Sequence, residues 1–390
     1  MTAHTSMQPG ALTFFVPLLL GAGLGKTFAP EPVPAASQGL TAEEQEILSH
    51  LSIVELSLRA GGGTAKTIRV EGINVQVVNG LGATNGYPTD PTTTGTALTS
   101  VNGLGNVIVG YNDDSVFINE DRSGSHNLVT GLGNTYTSYG GAAMGGHNEA
   151  LAPYANVTGG SLGEVSGDYA SVSGGKFNVA SGNAAWCGGG EDNDASGTRA
   201  SVCGGREAIA SGATSSVTGG ARNEATSSNA SAKGGLNNFA TGGSSSILGG
   251  WANTASGISA SSAGGQANVV DGSYANVSGG SGSQAFGNYT SISGGQNHQA
   301  TGLYGSIAGG NNNTIGGVYS FIGGGGNNYT GAAYTSILGG YSGFTGDLYS
   351  TVVGGYDNTS SGYSSTVSGG YRRSASGSYD WVGGGLFQNQ

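Results

Sequence analysis

The sequence has little of what most functional classes require. Its 390 residues include two cysteines, Cys187 and Cys203, too few for a disulfide scaffold. Charged side chains make up 9%, which leaves little for salt-bridged helices. The five histidines, His4, His50, His126, His147 and His298, show no metal-ligand spacing, and no metal or cofactor is expected. Lys and Arg are scarce against Asp and Glu, giving a net charge of −11; nucleic acid, whose binding depends on basic groups replacing condensed counterions, is excluded as a natural partner. The clustered carboxylates of a glycan-cleaving solenoid are missing as well, so no catalytic residue is expected. The densest acidic cluster, Glu191, Asp192, Asn193 and Asp194, lacks the nonapeptide pattern of calcium-binding repeats and reads as a solvated corner.

Long hydrophobic runs are equally short. Residues 11–25, ALTFFVPLLLGAGLG, have the length of a signal-peptide core and are too short to span a bilayer as a helix. They imply export, and with it an extracellular or cell-surface location and no transmembrane span. Residues 26–41 carry PEPVP and small polar residues and read as a linker, so residues 1–40 form a signal-like segment with its linker. Over residues 41–60, Thr41 and Glu44 predict a capping box, and Ile47, Leu51, Val54 and Leu58 predict one stripe of a helix, a short heptad seam that could set an oligomer. Residues 61–143 predict an irregular β segment: Ile68, Val70, Ile73, Val75 and Val77–Val78 alternate in strand fashion, Asn79-Gly80 supplies a turn, and a Gly/Thr/Pro-rich loop follows.

What the chain does have is glycine, 79 residues of it, without the G-X-Y period of collagen. Gly-Gly pairs begin every fifteen residues from Gly159 to Gly384, with no insertion or deletion. Such a period predicts an all-β parallel solenoid over residues 144–390, in which each coil buries its apolar face only by stacking on the next.

With the first glycine of a pair as position one, position fourteen is Val172, Val202, Val217, Ile247, Val277, Ile292, Ile307, Ile322, Ile337, Val352, Val367 and Val382, broken by Cys187, Ala232 and Ser262. A β-branched residue once per coil predicts an inward ladder. Position seven, mostly alanine, predicts a second, narrower inward site. Glycine at position nine marks a corner needing positive φ or close approach, and asparagine at position five, as in Asn178 and Asn193, predicts a left-handed turn residue. One Val/Ile and one Ala per fifteen residues bury little, so ladders between coils and association of several chains are both expected.

The runs SVSGGKFNVASG at 171–182, SVTGGARNEATS at 216–227 and SISGGQNHQATG at 291–302 resemble the head repeats of trimeric autotransporter adhesins and haemagglutinin-type repeats of bacterial surface and phage fibre proteins. The resemblance covers about 230 residues. It implies a left-handed β-roll, three chains wound side by side, presented outside the cell for attachment. The chain departs from the pattern in its fifteen-residue unit with paired glycine and in lacking a C-terminal anchoring barrel.

At position eleven Tyr274, Tyr289, Tyr304, Tyr319, Tyr334 and Tyr349 occupy consecutive coils, with Tyr169 and Tyr379 apart. This aromatic ladder is the candidate ligand site, for a surface glycan or protein, against a ladder that only stacks on itself or packs between chains. Cys187 falls on an inward position and Cys203 on an outward one, which disfavours a disulfide. The leading function is an exported, homotrimeric, adhesin-like fibre. An ice- or surface-binding solenoid, which needs a flat outward Thr ladder, is a rival, and a glycan-degrading solenoid a weaker one.

Overall fold

The computed structural model describes residues 40–57, 64–114 and 120–384. The signal-like segment, Leu58 and the last six residues lie outside them. The chain divides into two units, residues 1–75 and 76–390.

In the first unit, helix α1 (Ala42–Ser49) begins with the expected capping box: the Glu44 backbone N–H donates to Thr41 Oγ1 at 3.2 Å and the Thr41 N–H donates to Glu44 Oε2 at 2.7 Å. The helix stops at the His50 cap. Leu51 and Val54, assigned above to a helical stripe, lie instead on strand β1 (Leu51–Ser57), which pairs antiparallel with β2 (Thr64–Val70). The heptad reading therefore fails. Ile53 and Val54 are β-branched, and β2 offers them a full ladder from Leu51↔Val70 to Ser57↔Thr64, whereas a two-turn helix buries nothing. The strand reading of residues 73–78 also fails, since β2 ends at Val70 and that stretch has no ladder partner. The turn survives: Gly80 has φ 79° and the Leu81 N–H donates to Asn79 Oδ1 at 2.9 Å.

The second unit is an all-β parallel solenoid of about 17 turns, most of them fifteen residues long. Its first rung, β3 (Val107–Val109), pairs parallel with β4 (Leu128–Leu132), which pairs with Ala142–Gly146, and that with Asn156–Val157. From there each coil supplies two strands of two residues. Positions thirteen and fourteen form one ladder, as Ser171↔Trp186 and Val172↔Cys187; positions six and seven form the other, as Val179↔Asp194 and Ala180↔Ala195. Two-residue strands have no independent stability, and here each is sandwiched between neighbouring strands except at the ends of the two ladders, as at Thr135–Tyr136, Ser374–Ala375 and Trp381–Val382.

The hydrogen bonds show how a chain turns within fifteen residues. The N–H groups of Ser171, Ser173, Lys176 and Val179 donate to the following coil, to Ala185, Cys187, Gly190 and Asn193 carbonyls, but those of Phe177 and Ala184 donate back to Ser161 and Asp168. Among the non-glycine residues of the coils, positions four and eleven are the ones with positive φ, as in Phe177 at 57° and Ala184 at 54°. A left-handed residue at each corner reverses the peptide and bonds the coil to both neighbours.

The interior is formed by positions five, seven, nine, twelve and fourteen. Position fourteen is its largest column, with Ile247, Ile292, Ile307, Ile322 and Ile337 all fully buried and Val382, near the end, only partly. Alanines such as Ala180 and Ala240 line position seven. Position twelve, unremarked in the sequence, carries buried small residues: Ala170, Ala200, Ser215, Ala260 and Thr335. Glycine at position nine owes its place to close approach alone, because a Cβ on Gly182 would lie 2.1 Å from the Gly197 carbonyl oxygen. Positive φ falls on the second glycine of each pair, for example Gly175 at 83°.

Asparagine at position five is the clearest departure from expectation. It is not a left-handed turn residue but a buried one: Asn178, Asn223, Asn238, Asn253 and Asn268 are inaccessible to solvent. The left-handed residue is its neighbour at position four. The short amide fits inside because it satisfies polar backbone groups that the tight corner would otherwise leave unpaired.

Candidate functional site

The tyrosines at position eleven occupy one edge of the solenoid, all in the left-handed conformation, with φ from 53° at Tyr319 to 63° at Tyr349. The structure brings all six together. Consecutive rings from Tyr274 to Tyr349 stack with centroids 4.7 to 5.2 Å apart and planes within 17° of parallel. The row continues edge-on through Tyr363 to Tyr379, at 5.7 and 5.6 Å. A separate short row stacks Tyr154 on Tyr169.

This geometry limits what the row can do. A sugar packs on an aromatic face, and each inner ring already has both faces against its neighbours. What the row offers outward is ring edges and phenol hydroxyls at a rung spacing of about 5 Å, a regular series of hydrogen-bonding groups. The left-handed backbone is costly for a residue with a Cβ, and stacking, worth about 0.5–1.5 kcal/mol per pair, offsets that cost.

Two further aromatic rows escaped the sequence reading. Tyr341, Tyr356 and Tyr371 stack at 5.3 and 5.4 Å at position three, on the opposite edge of the coil, and Tyr329 stacks on Phe344 at 5.7 Å at position six. The signal in the sequence is an aromatic residue recurring at fifteen, in runs of only two or three coils.

Other columns also pair with themselves. Arg222 Nε lies 2.6 Å from Glu207 Oε2 and Arg372 Nε 3.1 Å from Asp357 Oδ2, each one coil apart along position four. Ser216 Oγ donates to Ser231 Oγ at 3.3 Å, and Gln299 Nε2 to Gln284 Oε1 at 3.3 Å. Position thirteen is mostly serine but is interrupted by Trp186, Phe321 and Trp381.

The acidic cluster does not converge. Glu191 and Asp192 face outward at the corner, Asn193 points into the interior, and Asp194 sits half-buried on a strand. Burial, with Glu164 nearby, raises the Asp194 carboxyl above its usual range; burial and then Glu164 do the same to Glu149. Among the described residues no group of three or more His, Cys, Asp or Glu is placed to hold a metal ion.

Cys187 is fully buried in the position-fourteen column and Cys203 is exposed, and both are free thiols. Burial pushes the Cys187 thiol up to about 11. His298 replaces asparagine at position five and keeps its acceptor role but not its donated bonds. Its Nδ1 accepts the Asn313 N–H at 3.2 Å, so the proton sits on Nε2, which faces the Gly294 and Gly310 carbonyls without reaching hydrogen-bond geometry. Burial holds this imidazole below its ordinary pKa.

No protein-family model matches the chain, and no curated protein is similar to it in sequence. Among the described residues no helix is long and apolar enough to cross a membrane.

Proposed function

We propose that the chain is an exported structural or adhesin-like fibre protein that presents a repetitive surface for multivalent attachment, in the manner of the trimeric autotransporter heads its repeats resemble. The observation that carries this reading is the vertical alignment of identical outward groups. Six consecutive tyrosines and long columns of serine repeat at one rung spacing, so a weak site is offered many times on one rigid body. Multivalency converts weak single contacts into avidity when sites are held at matched spacing. Association of several copies, read as a homotrimer, would multiply the display further. Extracellular or cell-surface location follows from the signal-like segment at residues 11–25.

The partner the tyrosine row fits is a polymer rich in hydroxyls, a surface glycan, held by hydrogen bonds to the phenol edges and not by stacking on faces. Binding of the purified chain to arrays of polysaccharides and glycoproteins tests this. The expected result is retention on a subset of glycans, weakened when Tyr289, Tyr319 and Tyr349 are replaced by Ser. Failure to bind any glycan or protein on the array would refute attachment. Thermal hysteresis would favour the ice-binding rival, which the interrupted position-thirteen column disfavours, and polysaccharide cleavage would favour an enzyme.

A further inference from the structure

Two of the inward columns carry no charge until the last described coil. At positions five and twelve every coil that begins between Gly159 and Gly354 has Asn, Ser, Thr, Ala, Gly or His, and all of these residues are buried. The coil that begins at Gly369 has Arg373 at position five and Asp380 at position twelve, both exposed. Among the described residues no ion pair joins the two. A further coil stacked on this one would enclose both charges away from water, which costs far more than enclosing the neutral groups of the coils before it.

Each charged residue also stands in for something that a following coil would need or supply. In an inner coil the position-nine N–H donates to the position-seven carbonyl of the next coil, as Gly362 does to Ala375 at 3.2 Å. The Gly377 N–H donates instead to Asp380 Oδ2 at 2.6 Å, so the carboxylate provides the acceptor from within the same coil. It fills the space as well. A Cβ on Gly362 would collide with the Gly377 carbonyl of the next coil, whereas one on Gly377 would meet the Asp380 carboxylate at 2.7 to 2.9 Å. Arg373 ends the amide column. Its N–H donates to Asn358 Oδ1 at 2.9 Å, as a position-five residue does, but a guanidinium holds only donors and offers no acceptor to the corresponding N–H of a following coil.

We propose that Arg373 and Asp380 make residues 369–383 a terminating cap, which shuts this end of the solenoid to a further coil and to the ladder of another molecule. The carboxylate seals the Gly377 amide and the guanidinium stops the amide column. An open end of a parallel ladder is a template for strand addition, and inward-pointing charge is one of the devices by which sheets protect an edge. The cap sets where the repeated surface stops and does not depend on what the tyrosine row binds.

Lengthening the ladder tests it. A second copy of residues 324–353, whole coils in register, is inserted between Gly383 and Gly384 of the full chain, with the native pair in place or with Arg373→Asn and Asp380→Ser. Amide hydrogen exchange and limited proteolysis then follow the inserted coils. Behind Asn and Ser they should stack and be protected; behind the native pair they should exchange and be cut at least about tenfold faster. Equal protection in the two backgrounds would overturn the proposal. Equal lack of protection would overturn it too, because removing the charges would then not open the end. In the chain without the insert, Asp380→Ala should speed exchange of the Gly377 amide at least about tenfold and leave the coils before residue 339 as they are. An unaltered rate at Gly377 would overturn the carboxylate's part in the cap.

Discussion

Replacing Asn253 by Ala should remove one rung of the buried asparagine column and loosen the solenoid around it. From Asn223 to Gly343 the position-five residues form an unbroken series in which each backbone N–H donates to the side chain one coil before it. Asn253 accepts the Asn268 N–H at 3.1 Å on Oδ1, and the two hydrogens of its Nδ2 are shared among three acceptors, Asn238 Oδ1 at 3.1 Å, Gly249 O at 3.1 Å and Gly265 O at 3.0 Å. Each of the two donated bonds contributes about 1 kcal/mol net, and for the Asn268 N–H, left buried without an acceptor, the cost is about 1–3 kcal/mol. Gly265 O keeps the Trp251 N–H, and the chain already tolerates Ala208 at an equivalent place, so part of the loss is absorbed. The expected total is about 3 kcal/mol. Because coils interact only with neighbours, the loss should be local, read as faster amide hydrogen exchange over the coils on either side of Asn253 together with a lower melting temperature. Asn253→Asp should be worse at neutral pH, since it places a carboxylate oxygen against two carbonyls in the interior. Exchange rates in Asn253→Ala indistinguishable from wild type would show that the amide column bears no weight.

Four further outcomes are expected. Ile307→Asp should destabilise the central coils severely by burying an unpaired charge in the position-fourteen column, and an unchanged melt would contradict the inward placement. Tyr304→Ala should cost about 1–3 kcal/mol through loss of its stacked neighbours at 4.9 and 4.7 Å, and Tyr304→Gly less than Tyr304→Ala because glycine relieves the left-handed strain; equal losses on denaturation would argue that the φ of 59° carries no strain. His298 is depressed in the folded state, so above its ordinary value near 6.5 it costs no stability, and as pH falls below that the unfolded chain takes up a proton the folded one refuses. Stability should then drop by up to about 1.4 kcal/mol per pH unit until the depressed folded value is passed, and acid titration of His298→Asn should lack that slope. Iodoacetamide should add one group to the native protein, at exposed Cys203, and a second only after unfolding exposes Cys187.

The solenoid was legible because its signals are one-dimensional. A fifteen-residue period places Val172, Val202 and Ile247 on one column whatever the path of the chain between them, and the same arithmetic aligned the six tyrosines. Side chains whose role depends on direction were not legible. Asn253 and its column look like turn residues, and only the reversal of the peptide at position four shows that the turn lies one residue earlier and sends the amide inward. The tyrosine row was visible as a row, but whether it presented faces or edges depended on rings standing parallel about 5 Å apart, a property of stacked coils and not of any one. In the N-terminal unit a 4-3-4 spacing fitted a helix, yet Leu51 and Val54 joined β2, a partner ten or more residues away whose pairing no local pattern announces.

By itself, then, the sequence determined the period, the all-β class, the aliphatic ladder and the poverty of charge, because repetition forces equivalent residues into equivalent places. The tertiary structure decided which small polar residues went inside and which edge each aromatic row occupies. Those outcomes turn on backbone direction at two left-handed corners and on pairing between distant strands, where the balance of hydrogen bonds is struck between neighbouring coils and not within one.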